Sequence, residues 1–242
     1  KLLLRAYRLM MTAKAMADTY EENRSICKYV HSTSRGHEAI QLATAFQLTS
    51  IDWVSPYYRD ESLMLGMGWR PFEMMLQLLA KADDPFTGGR EYYNHPNSRR
   101  ENLPKIIHQS SATGMQAVPT TGLAQGIQYL ETLRQKPDER PVVVCCFGDG
   151  SVTEGEVSEA FQFAALKQLP IIYLVEDNDW GISVSSDEAR SMNAYEFIQG
   201  FKGIERIQVD GSDFEQSYEA MENAIHYVRE HRKPILVHAR VP

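Results

Sequence analysis

Two apolar runs separated by a helical pattern constrain the fold more than any other feature. Residues 142–147 are rich in β-branched side chains and stop at Gly148-Asp149-Gly150, and residues 171–175 follow Pro170. Such uninterrupted runs are typical of strands buried on both faces of a parallel sheet. Between them, apolar residues recur at helical spacing: Val157, Ala160, Phe161, Ala164, Ala165 and Leu166. The stretch predicts a strand, a turn carrying an acid, a helix beginning near Thr153, and a second strand.

The rest of the sequence continues the alternation of helices and strands. It predicts helices over residues 2–20, 37–48, 123–133 and 214–229, and strands over 207–211 and 234–240. Alternation of this kind indicates an α/β fold, with a mostly parallel sheet and helices on both faces. No linker interrupts the pattern, so we expect one domain over residues 1–242. In the first helix, an apolar face is expected to pack in the core, with a binding groove as the alternative: Leu3, Tyr7, Met10, Met11, Ala15 and Met16.

Composition excludes several classes of function. The net charge of −7 gives no basic surface for nucleic acid or an anionic membrane. No apolar run approaches the roughly 20 residues that span a bilayer. Three cysteines without zinc spacing, Cys27, Cys145 and Cys146, indicate free thiols in a reducing compartment. We therefore expect the cytoplasm, or the mitochondrial matrix for a eukaryotic chain. Lys1 is not an initiator methionine, no signal-peptide pattern follows it, and what precedes it stays open.

The ends of the two apolar strands carry the candidate chemistry. Parallel neighbours end at the same edge of a sheet, so Asp149 and Asn178 should lie close together. Carboxylate and amide oxygens are hard ligands that suit Mg²⁺ or Ca²⁺. The N-terminus of the intervening helix favours an anion, and Gly148 and Gly150 allow close approach of the backbone. The pattern predicts a divalent cation beside a bound diphosphate.

Several motifs resemble one family. Gly148-Asp149-Gly150 followed by Asn178 resembles, in residues and spacing, the fingerprint of thiamine-diphosphate enzymes. The surrounding GDGSVTEGEVSEAFQFAALKQLPIIYLVEDNDWGIS and the segment SRGHEAIQLATAF resemble the α subunit of the decarboxylating component of pyruvate and branched-chain 2-oxo acid dehydrogenase complexes. The resemblance implies a three-layer thiamine-diphosphate-binding fold. It also implies thiamine diphosphate and Mg²⁺ as cofactors. The implied reaction is oxidative decarboxylation of a 2-oxo acid, with acyl transfer to the lipoyl group of the next component.

The resemblance also assigns residues. Tyr58 and Arg59 match a pair that holds the diphosphate; without the family, Arg59 would be a surface residue paired with Asp60 or Glu61. The segment 106–122 corresponds to one that holds the aminopyrimidine side or a monovalent cation, with Ser110 as a further candidate, and Met115 or Ile182 would wedge the cofactor's rings. The implied metal ligands are Asp149, Asn178 and Trp180. The full set of expected cofactor-binding residues is Tyr58, Arg59, Ser111, Thr113, Met115, Gly148, Asp149, Gly150, Ser151, Asn178, Trp180 and Ile182.

The histidines and the polar segment 83–104 receive weaker expectations. His37 is expected to make structural hydrogen bonds at a helix N-terminus, and His31 is a weaker active-site candidate. Residues 83–104 predict a long loop, in which His95 and the cluster Arg99-Arg100 are expected to be solvated, with rim contacts as the alternative. The role of Tyr57 stays open.

The resemblance implies that this chain holds half of a site. In the family, a glutamate from the β subunit and a histidine in a loop after the last strand serve proton transfer, and this sequence ends at Pro242. The proton-transfer residues are therefore expected on a partner or beyond the chain end. Expected partners are a β subunit or fused β part, a second α copy and a lipoyl acyltransferase. Another thiamine enzyme, such as acetoin dehydrogenase or a transketolase-like half, and a non-catalytic scaffold are the alternatives. Glu176 resembles pyruvate-type chains and SSATGMQAVP branched-chain ones, so the 2-oxo acid stays open.

Overall fold

The computed structural model describes residues 1–29, 32–133 and 140–242. His31, a candidate from the sequence, lies outside the described residues. The helices are α1 Leu2–Glu22, α2 Glu38–Ala45, α3 Glu61–Met67, α4 Pro71–Leu78, α5 Ala117–Leu133, α6 Gly155–Lys167, α7 Ser186–Ala189, α8 Ala194–Phe197 and α9 Phe214–His231. The strands are β1 Trp53–Ser55, β2 Lys105–Ile106, β3 Val143–Gly148, β4 Ile171–Asp177, β5 Trp180–Gly181, β6 Val184–Ser185, β7 Glu205–Asp210 and β8 Ile235–Arg240.

One six-stranded sheet organises the chain. Its strand order is β2-β1-β3-β4-β8-β7, and each neighbouring pair is parallel. The central pair runs in register from Val143 opposite Ile171 to Gly148 opposite Glu176. The loops after β3 and β4 therefore begin at the same level of the same edge.

Helices cover both faces of this sheet. On β3, Val144 and Cys146 join an apolar cluster with residues of α1, α2, α3, α4 and α9. Val143, Cys145 and Phe147 point to the other side, where they pack with α5, α6 and α8. The strand is thus buried on both faces, as its unbroken apolar run predicted. The predicted three-layer α/β architecture is confirmed.

The predicted elements need three adjustments. Helix α5 begins at Ala117, ahead of the predicted 123, and α6 begins at Gly155 after a 3-10 turn over Asp149–Ser151. The predicted core face of α1 is wrong at four positions, because Leu3, Tyr7, Met11 and Ala15 are exposed. The helix instead buries mainly small residues, Ala6, Ala13 and Ala17 with Met16 and Tyr20, which allow it to approach the neighbouring helices closely.

Two further expectations from composition concern thiols and membranes. Cys27, Cys145 and Cys146 are free cysteines, and the two in β3 are buried. Within residues 1–29, 32–133 and 140–242, no helix has the length and apolar character that a bilayer crossing requires.

Candidate functional site

A cavity of about 620 Å³ opens at the carboxyl edge of the sheet. The ends of β1, β3 and β4 form its floor, and the loops over residues 92–95 and 109–114 form its walls. Of the cofactor-binding residues expected from the sequence, all except Met115 line it: Tyr58, Arg59, Ser111, Thr113, Gly148, Asp149, Gly150, Ser151, Asn178, Trp180 and Ile182. Ser110 lines it too, whereas the structure does not bring Met115 to this cavity. Segments up to about half the chain apart thus meet here, where open α/β sheets bind ligands.

The turn after β3 holds the acid at the floor of the cavity. The Ser151 hydroxyl donates to the Gly148 carbonyl at 2.7 Å, which closes the turn. A Cβ atom built on Gly150 would lie 3.8 Å from the Cα of Gly181, so the turn meets the loop that follows Asn178. The expected proximity of these two loops is therefore observed.

The Asp149 carboxylate forms an ion pair with Arg190. The side chains of Asp149 and Arg190 are only 4% and 7% exposed. Burial raises the pKa of Asp149, the nearby Asp177 adds to the rise, and the hydrogen bond from Arg190 opposes it. Arg190 was not among the residues expected from the sequence, because it lies beyond the loop motif.

The loop after β4 offers further oxygen atoms. The Trp180 backbone N–H donates to Asn178 Oδ1 at 3.2 Å, which holds the asparagine in a local turn. In the described part of the chain, no group of three or more His, Cys, Asp or Glu side chains could hold a metal ion. A cation at this edge would therefore rely on one carboxylate, an amide oxygen, backbone carbonyls and oxygens of a bound ligand. Those hard donors fit Mg²⁺ together with a diphosphate.

Ile182 stands at the cavity rim in an unusual conformation. Its φ is +60°, in the left-handed region that β-branched residues rarely adopt, and its side chain is fully exposed. Strain of this kind persists where surrounding structure imposes it, commonly at ligand sites. Trp180, which also lines the cavity, and Val184, which pairs with Gly181, are exposed apolar residues nearby.

Arg59 faces the cavity rather than a neighbouring carboxylate. Its guanidinium donates to the Thr33 carbonyl at 3.2 Å and lies 5.4 Å from the centre of the Tyr58 ring. Asp60 instead accepts the Tyr57 backbone N–H at 2.9 Å, and Glu61 accepts the Tyr93 hydroxyl. The alternative of a surface ion pair is not what the structure shows.

A buried carboxylate network, which the sequence did not predict, borders the cavity. Glu176 Oε2 lies 2.6 Å from His37 Nδ1 and accepts from Gln41 Nε2 at 2.8 Å, whereas Glu176 Oε1 is buried without a partner. The Tyr57 hydroxyl, whose role was open, lies 3.5 Å from Oε2. Burial and then the Glu176 charge raise the pKa of Asp60. His37 is the residue before α2 and makes a structural hydrogen bond, as predicted.

His95 is a second residue that sequence analysis misplaced. It was expected in a solvated loop, yet it is buried and lines the cavity. Its Nδ1 lies 2.9 Å from the Tyr93 carbonyl, which fixes the proton there and leaves Nε2 to accept from the Ser111 hydroxyl at 3.2 Å. Arg100, from the same loop, stacks 4.0 Å from the Trp69 ring and pairs with Glu73. Residues 93–96 are therefore a packed wall, which makes the expectation wrong for His95, whereas Arg99 and Arg100 are exposed as expected.

Comparison with known proteins gives consistent findings. The model of the family described as Dehydrogenase E1 component matches residues 6–241. The chain is 31% identical to the 2-oxoisovalerate dehydrogenase subunit alpha of Bacillus subtilis over 96% of this chain and 68% of that relative. It is 29% identical to the pyruvate dehydrogenase E1 component subunit alpha of Mycoplasma genitalium, over 84% of this chain and 51% of the relative.

Solved structures share the fold at low identity. A transketolase from Leishmania mexicana superposes with a TM-score of 0.62 and 16% identity, over 88% of this chain and 37% of the other. A transketolase from Campylobacter jejuni gives 0.59 and 17%, over 86% and 37%. At this identity the likeness concerns the fold alone. The chain spans only part of each relative, from about half to two thirds of the curated ones.

Proposed function

The chain belongs to the dehydrogenase E1 component family, and from this membership we propose that it is the α part of a thiamine-diphosphate- and Mg²⁺-dependent enzyme that oxidatively decarboxylates a 2-oxo acid. The observation that carries the proposal is the meeting of Asp149, Asn178 and Arg59 in one cavity at the carboxyl edge of the sheet. Residues 1–242 would form one cofactor-binding domain. The acyl group would pass to the lipoyl group of the next component of a complex.

The cavity floor is suited to the diphosphate and the metal. Arg59 supplies a planar fork that can bind two phosphate oxygens, and Tyr58 lies beside it. Asp149, Asn178 and the Trp180 carbonyl would hold Mg²⁺, whose charge offsets that of the phosphates. Gly148, Gly150 and Ser151 form the turn that lets the backbone approach. Thiamine diphosphate, when bound, supplies the electron sink for decarboxylation.

The walls are suited to the ring systems. Ser111 and Thr113 lie on the loop that faces the floor, and His95 holds the Ser111 hydroxyl in place. Ile182 lines the cavity and Met115 does not, so we propose Ile182 as the residue that wedges the two rings.

The rest of the site would come from a partner subunit. The apolar residues Trp180 and Ile182 line the cavity and are exposed, as is Val184 on the neighbouring strand β6. Helix α5 also exposes Val118, Tyr129, Leu130 and Leu133, and Cβ atoms at Gly122 and Gly126 would meet only open space. Such a face of large apolar residues beside small ones suits close packing of another helix. We propose that a β subunit, or a fused β part, covers it and supplies proton-transfer groups, with a second α copy and a lipoyl acyltransferase completing the assembly.

Calorimetric titration of thiamine diphosphate with Mg²⁺ tests the proposal. The full-length protein in its native assembly should bind the cofactor in a Mg²⁺-dependent manner. Asp149→Ala should weaken that binding by about 100-fold or more, a loss of roughly 3 kcal/mol. Asp18→Ala, which removes an exposed acid from α1, should leave it unchanged. Absence of binding in the wild type would favour a non-catalytic scaffold of the same fold.

Substrate-dependent reduction of an electron-accepting dye then tests the reaction. Pyruvate, a branched-chain 2-oxo acid and acetoin should be compared at equal concentration. Turnover of a 2-oxo acid supports the proposal, and turnover of acetoin alone would indicate the alternative thiamine enzyme. A bacterial chain would work in the cytoplasm and a eukaryotic one in the mitochondrial matrix.

A further inference from the structure

Arg190 forms an ion pair with Asp149, the acid that the proposed function assigns to the metal. It directly follows α7, where its backbone N–H donates to the Ser186 carbonyl at 2.8 Å. From there the guanidinium reaches the Asp149 Oδ2 atom. Both side chains are more than nine-tenths buried. The pair therefore closes the acid off from solvent.

A guanidinium and a divalent cation cannot share this carboxylate oxygen. Two like charges a few ångströms apart repel strongly where water is scarce. A buried carboxylate with no cation beside it is equally unfavourable, because it has lost its hydration without gaining a partner. Arg190 thus supplies, before the metal arrives, the positive charge that the buried Asp149 requires.

A second cavity offers the released guanidinium a place to go. It has a volume of about 430 Å³ and is lined by Asp177 and Asp179, the neighbours in sequence of Asn178. Arg190 lines this second cavity and is not among the residues that line the first. Four acids line this cavity, Asp177, Asp179, Asp187 and Glu196, against one further arginine, Arg240. The Asp177 Oδ2 atom lies 2.7 Å from His238 Nε2, so the Asp177 carboxylate is held in place in this second cavity.

We propose that Arg190 and Mg²⁺ compete for Asp149, and that the Arg190 guanidinium turns into the second, acid-lined cavity when the metal binds. The inference rests on the proposed function, since it takes Asp149 as a metal ligand. It goes further in assigning to Arg190 an opposing role: the residue stabilises the metal-free site and lowers its affinity for the metal. Metal uptake then requires a side-chain exchange between two cavities.

The test is Mg²⁺ titration, in the presence of thiamine diphosphate, of the full-length protein in its native assembly. Arg190→Gln should lower the Kd for Mg²⁺ by about tenfold, which corresponds to about 1.4 kcal/mol. Asp187→Asn should raise the Kd by about twofold, because it makes the second cavity less attractive to the guanidinium. Arg232→Gln is the matched control, since Arg232 pairs with Glu131 far from either cavity. It removes the same charge and should leave the Kd unchanged.

Thermal unfolding provides a readout that does not depend on activity. With EDTA, Arg190→Gln should lower the Tm by roughly 3 °C relative to wild type. Saturating Mg²⁺ and thiamine diphosphate should remove that difference, because the metal then neutralises Asp149 in both proteins. A merely structural ion pair would leave the difference in place.

The outcomes separate the two proposals. If wild type binds Mg²⁺ and Arg190→Gln binds it no more tightly, the proposed function stands and the competition is overturned. If neither protein takes up Mg²⁺ with thiamine diphosphate present, the proposed function and the competition both fail. Tighter binding in Arg190→Gln with an unchanged control supports the competition.

Discussion

The two edges of the sheet treat buried carboxylates in opposite ways. At the amino edge, Asp52 precedes β1 and accepts five hydrogen bonds: from Val142 N–H, from the N–H and hydroxyl of Thr49, and from two nitrogens of Arg229. At the carboxyl edge, Glu176 is the next-to-last residue of β4, with one oxygen contacted by several groups and the other without a partner. Both side chains are fully buried. Asp52, with its full set of hydrogen bonds, stabilises the fold, whereas Glu176, with one oxygen lacking a partner, borders the cavity.

The two edges differ in the charged groups that lie beside their buried carboxylates. Helix α9 brings Arg229 to Asp52, so a full counter-charge is present. The carboxyl edge gathers four acids, Asp60, Asp149, Asp177 and Glu176, and of these only Asp149 has an arginine partner, Arg190. Burial raises the pKa of Asp60 and Asp149 there. Perturbed acids next to a cavity are a common mark of a functional site.

Asp52→Asn should have the largest effect on stability. The change removes the charge that Arg229 needs and turns an amide N–H₂ toward other donors. We expect the free energy of unfolding to fall by about 3–5 kcal/mol, as for other broken buried ion pairs. Chemical denaturation measures it, with Asp18→Asn on the exposed side of α1 as the control. A loss below about 1 kcal/mol would contradict the structural role given to this acid.

Comparison of the wild type with Glu61→Gln should reveal a pH dependence of the free energy of unfolding. Burial raises the pKa of Glu61 to about 7 from 4.5, although hydrogen bonds from Tyr93 and Ser34 oppose the rise. The folded protein therefore keeps a proton that the unfolded chain releases above pH 4.5, so stability is lost as the pH rises through the folded pKa. Between pH 5 and pH 8 the wild type should lose about 2–3 kcal/mol relative to Glu61→Gln. Denaturation at several pH values measures the difference, and a constant difference would contradict the raised pKa.

His95→Asn should weaken cofactor binding with little change in the fold. The substitution removes the acceptor for Ser111, which ties the two walls together. Affinity for thiamine diphosphate should fall about fivefold, near 1 kcal/mol, the usual worth of such a bond. Titration of His95→Asn, Ser111→Ala and the double variant measures the coupling. If the two single effects simply add, the bond does not position the wall.

Asp60→Asn should have the smallest effect and offers the sharpest contrast with Asp52. Burial and then the charge of Glu176 raise the pKa of Asp60, so the fold disfavours its charged form, in contrast to Asp52 with its arginine partner. An amide of nearly the same shape should therefore change the free energy of unfolding by less than about 1 kcal/mol. Denaturation at neutral pH measures it beside Asp52→Asn. Equal losses in the two variants would mean that the two edges do not differ as described.

Local patterns predicted the centre of the fold. The strands β3, β4 and β8 and the helices α6 and α9 follow from apolar periodicity that lies within each segment. Strands β1 and β2 have three and two residues, too few to show a period. The face of α1 was misjudged because apolar periodicity does not say whether a face meets its own core or another surface.

The part of the site that lies at the ends of the strands was predictable from the sequence. Asp149 and Asn178 were expected together because parallel neighbours end at one edge, and the structure places both at the cavity. Arg190, His95 and the partners of Glu176 come from separate segments that only tertiary packing brings together. No local pattern marks an arginine that will reach back to an acid 41 residues earlier. Those contacts could be found only in three dimensions.

The construction of the cavity has a consequence for how such a protein diversifies. Its floor is tied to a six-stranded parallel ladder, where a shift of one residue would turn every side chain to the opposite face. Its walls, residues 92–95 and 109–114, belong to connecting segments outside that ladder. Under the proposed function, exchange of these two segments between relatives should change the contacts to the cofactor's rings while the proposed contacts to metal and phosphate are inherited unchanged. In this scaffold, recognition and chemistry can evolve at different rates.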